Sequence, residues 1–142
     1  MLRQVLVMKA IPRKVDCGLL ALRLISATPL FLKHGTEKLF RFHHMLGFFP
    51  NPLHIGVVPS LLFATLSDGI CTLLIIAGFA TRWAALVCFI NIFVALVFVH
   101  HFANMFGPQG DHGELMLLYL GAMVTLILAG AGRFSVDRLM DK

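Results

Sequence analysis

Two charges, Arg23 and Asp68, lie inside long apolar runs of this chain, and seven histidines gather toward one end of those runs. A charge at the centre of a lipid-spanning helix costs roughly 2.5 to 3.5 kcal/mol on insertion scales, so each needs a reason to be there. Asp68 is short and central and cannot reach the headgroups. Arg23 has a stem long enough either to snorkel to them or to close an ion pair with Asp68. Thr65 and Thr72 flank Asp68 by about one turn, which gives that helix a polar stripe to turn inward. The stripe reads either as an interhelical hydrogen bond without chemistry or as a carboxyl that carries protons or holds a ligand.

The histidines His34, His43, His44, His54, His100, His101 and His112 all map to one membrane face. At 100° per residue, Arg23, His34 and Arg41 share one side of the first helix within about 40°, with Glu37 and Lys38 on its flanks. His100 and His101 close the third apolar run, and Asp111, His112 and Glu114 open the fourth, so these groups reach the same depth. Consecutive helical residues point about 100° apart, so at most one of His100 and His101 faces inward. The candidate binding residues are therefore His34, Glu37, His100, His101 and Glu114. Three roles suit them: metal ligation, proton relay, or hydrogen bonding to the carbonyls of a quinone. No zinc signature of the H-E-x-x-H kind is present, and His43, His44 and His54 read as interfacial residues. No residue stands out as catalytic.

The elements that must position these groups follow from composition. Hydrophobic residues make up 58% of the 142 and charged ones 13%, with a mean hydropathy of +0.87, far from the balance of a water-soluble domain. A hydrocarbon core of roughly 30 Å needs about 20 helical residues, and apolar runs near that length recur four times. We read spans at about 17–34, 55–80, 82–101 and 114–132, with the first able to continue as helix to 42. Backbone groups in lipid must bond within their own segment, which makes the expected fold all-α: a four-transmembrane-helix bundle, integral to the membrane, in a single domain over 1–142.

Eight Lys and Arg residues fall on the side of the two termini and three on the other, with Arg23 between. The positive-inside rule then puts both termini in the cytoplasm. The net charge of +5 becomes a topology signal and an attraction to anionic headgroups rather than a case for nucleic acid. Arg23 interrupts the first run and no A-x-A-like site follows it, against a cleaved signal peptide. Cys17, Cys71 and Cys88 form no C-x-x-C pair and read as small packing residues. The short joint around Thr81 makes spans two and three antiparallel neighbours. The apolar loop near Phe48 should lie on the membrane or fold over the bundle mouth. Gly121, Thr125 and Gly132 suggest a face for close helix approach.

Arg23 with FLKHGTEKLF (31–40), then GFATRWAA (78–85), HHF (100–102), HGELMLLYL (112–120) and GAGRFSVD (130–137) resembles, in this order, the DoxX family of small four-helix membrane proteins. Asp68 stands where that family would have Glu early in the second helix, so the carboxyl is retracted by one methylene. The resemblance implies an integral membrane subunit of a quinone-linked oxidoreductase or membrane redox complex, similar to a subunit of thiosulfate:quinone oxidoreductases. Quinone would be its cofactor, and its partners would be other membrane or redox subunits or further copies of itself. The alternative is a structural or assembly subunit without chemistry of its own. With no nucleotide fingerprint, haem attachment motif or iron–sulfur cysteine set, the chain would need a partner to complete a redox cycle.

Overall fold

The computed structural model describes residues 14–100 and 113–140, and every regular element among them is helical. Val15–Phe40, Val57–Ala77 and Thr81–Val99 are long and apolar enough to cross a membrane, and are called here the first, second and third spans. Gly113–Ala129 is a fourth apolar helix of 17 residues, roughly 25 Å long at 1.5 Å per residue. The first span extends past its expected end at 34, as far as Phe40. His101, Asp111 and His112 lie outside the described residues.

The first span packs on the second, the second on the third, the third on the fourth helix, and the fourth helix on the first, which closes a ring. Its centre is apolar, with the small Ala27, Ala85 and Cys88 interleaved with the larger Ile75, Met123 and Leu126 among the buried residues. Large side chains such as Ile25, Leu62, Leu73, Leu118 and Leu128 point outward. Bulky apolar side chains on the exterior are what lipid as solvent selects, and the small residues of the centre let the helices approach.

The joint between the second and third spans follows from Gly78. At φ 74° it leaves the helix in the left-handed conformation that glycine adopts without a Cβ penalty. Its N–H and that of Phe79 then both donate to Leu74 O, at 2.8 and 2.9 Å, satisfying a carbonyl that the helix end would otherwise leave open. The two spans are antiparallel neighbours, as the short joint requires.

Two expectations change. Gly121 and Thr125 face outward, with nothing within 4 Å of a Cβ at Gly121, so they do not bring helices together. Gly132 lies beyond the helix end at Ala129, and the face that packs inward is Leu120, Met123 and Leu126. The second change is in helix type. Phe31–Gly35, Leu66–Cys71 and Ala95–Val99 are π-helical segments, one in each span. Such segments widen the helix locally and occur often at functional sites. Pro29 precedes the first and removes one N–H from the regular ladder just before it.

Candidate functional site

The π segments of the first two spans meet at Gly35 and Asp68. A Cβ on Gly35 would sit 2.2 Å from Asp68 O, so the two backbones touch there and only glycine fits. That approach brings Lys38, one turn along, over Asp68. Lys38 Nζ donates to Asp68 Oδ2 at 2.9 Å, and both residues are buried, at 7% and 5% exposed. Asn91 Nδ2 donates to Asp68 Oδ1 at 3.0 Å from the third span, and Ser67 Oγ donates to the same oxygen at 3.1 Å. Thr72 Oγ1 donates to Asp68 O at 2.6 Å. A buried charge is tolerable only when paired and hydrogen-bonded, and here both conditions are met.

Beside this pair lies a cavity of about 580 Å³. His34, Lys38, Asp68, Asn91, His100 and Tyr119 supply polar lining; most of the remainder is apolar. The segment after the first span closes over it, with Phe49, Pro50 and Pro52 among the lining residues and Met45 buried beneath. Asn51 Oδ1 pins that segment by accepting from Gly56 N at 3.1 Å and Ser60 Oγ at 3.3 Å. Of the two placements open to the apolar loop, this is the one over the bundle mouth. Leu53, Ile55, Phe63 and Ile90 line the cavity and are also exposed, so its rim is largely apolar, with Lys33 the exposed charge on it.

The candidate pair between Arg23 and Asp68 does not form, and Arg23 does not snorkel. Its side chain is fully buried and donates from Nη1 to Ile75 O at 3.4 Å and from Nη2 to Phe134 O. Arg23 is level with the last turn of the second span, seven residues and about two turns from Asp68. Depth counted from residue 17 misplaces it, because the first helix starts near the point where Asp16 Oδ1 accepts from Arg133 N at 2.9 Å, beyond the end of the second span. Its chemistry is that of a cation on backbone carbonyls, one in the last turn of the second span and one in the segment after the fourth helix. Asp137 completes this end: Oδ1 accepts from Ala80 N at 2.7 Å, Oδ2 from Thr81 N at 3.1 Å, and its own N–H donates to Gly78 O at 2.9 Å.

Of the candidate binding residues, His34 and His100 line the same cavity. Glu37 and Glu114 are exposed and do not line it, and His101 lies outside the described residues. Among the described residues, no three of His, Cys, Asp and Glu converge as a metal-binding set. Sequence reasoning missed Lys38, Asn91 and Ser67. Asn91 had a signal, because it and Asp68 lie equally far from the joint between Phe79 and Ala80. In an antiparallel helix pair that puts them at one level. Cys71 and Cys88 obey the same rule, and Cys88 Sγ donates to Ser67 O at 3.3 Å.

A ring of apolar helices that seals an ion pair inside and opens a cavity toward its apolar exterior defines a helical membrane protein with an internal polar site. The DoxX family model matches residues 18–101, and the chain belongs to that family. An uncharacterized protein of Haemophilus influenzae is 32% identical to it over 129 residues, covering 85% of this chain and 89% of that protein. No solved structure matches the chain. The matched segment contains Arg23, His34, Lys38, Asp68, Asn91 and His100; Glu114 and the tail that carries Phe134 and Asp137 lie outside it.

Proposed function

We propose that the chain is a quinone-binding membrane subunit of an oxidoreductase or membrane redox complex. It crosses the bacterial inner membrane four times, with both termini in the cytoplasm. The observation that carries this reading is the cavity of about 580 Å³ with its largely apolar rim and the buried donors in its lining. A quinone headgroup offers two carbonyl acceptors and no donor, and the lining includes His34, Lys38 and Asn91, each able to donate. The size falls in the range of small-molecule sites, and the exposed Leu53, Ile55, Phe63 and Ile90 give an isoprenoid tail a path into lipid. Electrons would come from a partner subunit; this chain would bind and orient the headgroup and keep water from it.

The test is purification in mild detergent with native partners, followed by lipid extraction and quinone-reduction assays. Quinone should co-purify, and His34→Ala should lower both the retained quinone and the activity. A complex that carries no quinone and is indifferent to His34→Ala would end this reading. The assembly-subunit alternative is favoured by the outward-facing Gly121 and Thr125, to which another helix could pack closely. It predicts that Asp68→Asn and His34→Ala alter only the yield of the complex.

A further inference from the structure

We propose that Lys38 is the group that recognises the ligand of the cavity, and that the headgroup it selects is a neutral ring carbonyl and not an acid. This deepens the quinone reading and rests on it. An ammonium has three N–H donors. Lys38 uses one on Asp68 Oδ2 at 2.9 Å and one on His34 O at 3.4 Å, which leaves the third for the cavity that Lys38 lines.

Asp68 is fixed in a different role. Lys38, Asn91 and Ser67 all donate to its carboxylate, so it serves as the counter-charge that keeps the ammonium in place. The pair is neutral as a unit. A carboxylate-headed ligand, such as a fatty acid, would add an unbalanced charge to a largely apolar cavity, at a desolvation cost that Lys38 is no longer free to offset. Lys33 also lines the cavity, but it is exposed, so a pair between it and a carboxylate is of the weak surface kind. A carbonyl oxygen completes the third hydrogen bond without changing the charge.

The experiment uses the full chain in lipid nanodiscs, with decylubiquinone carrying ¹³C at its carbonyls and palmitate as an acid competitor. Infrared spectroscopy reads the carbonyl stretch, which moves to lower wavenumber when the oxygen accepts a hydrogen bond. Lys38→Met alone would strand Asp68, so the test variant is Lys38→Met/Asp68→Leu. Lys38→Gln/Asp68→Asn, closer in shape, is the second. Wild type should bind decylubiquinone with a shifted band, and palmitate should not displace it. The first variant should lose the shift and bind roughly tenfold more weakly or worse, as for a lost hydrogen bond to a charged donor. The second should show a smaller shift than wild type.

If wild type binds decylubiquinone and both folded variants match it in affinity and band position, the role of Lys38 is overturned while the quinone reading stands. Displacement by palmitate at comparable affinity overturns the choice of headgroup. Absence of any decylubiquinone binding to wild type overturns the quinone reading and this inference together.

Discussion

The bundle buries a cation at each end, and the two are treated differently. At one end Arg23 is enclosed by backbone: it lies against Ile75 O and Phe134 O, and a Cβ on Gly78 would be 2.0 Å from its Nη1. At the other, Lys38 faces a carboxylate on one side and a cavity on the other. Burial of charge marks both as costly, and cost alone does not separate a structural cation from one positioned for a ligand. Open volume beside the charge does. The π segments mark the same division, since the first two carry lining residues His34 and Asp68, and Ala95 and Val99 of the third also line the cavity.

Substitutions can break this contrast. The largest effect is expected from Asp68→Leu, which leaves the Lys38 ammonium buried without a partner. Removing one member of a buried pair costs about 3 to 5 kcal/mol, so thermal unfolding in detergent should show heavy loss of stability, and ligand binding should fall with it. Gly35→Ala should come next. Its Cβ would overlap Asp68 O, and overpacking of this kind costs about 1 to 3 kcal/mol, so the first span should be pushed from the second and quinone affinity lowered as well. The smallest effect belongs to the opposite end. Asp137→Ala removes acceptors from Ala80 N and Thr81 N, a helix-cap loss of about 0.5 to 2 kcal/mol. Its midpoint should drop while decylubiquinone affinity stays at the wild-type value. A change in affinity there would show that the two ends are coupled and that the contrast is false.

Hydropathy and loop chemistry were enough to reveal three of the spans and the antiparallel second and third helices, because solvent and chain connectivity dictate those, and they narrowed the apolar loop to two placements. His34 and His100 could be placed in one region from depth alone. Lys38 was not legible as the partner of Asp68. On a helical wheel it flanks a wet face, and its inward turn depends on the π segment and on the backbone approach at Gly35, neither of which leaves a mark in apolar periodicity. Glu37 and Glu114 stand exposed and outside the cavity lining for a related reason: shared depth says nothing about which way a side chain points. Arg23 was misassigned because the offset between the first two spans is set by the tail, through Asp16 with Arg133 and through Phe134, and not by the hydrophobic edge of the first run.

The residues that accept from the two terminal nitrogens of Arg23 are made long after it, Ile75 52 positions later and Phe134 111 positions later, while its buried Nε keeps no partner among the described residues. During synthesis the first segment must therefore wait beside the insertion machinery with a guanidinium that no finished surface yet accepts. Only when the segment around Phe134 arrives are both acceptors in place, so this end of the bundle closes late, and a chain cut before Phe134 would keep a buried guanidinium with one of its two acceptors missing.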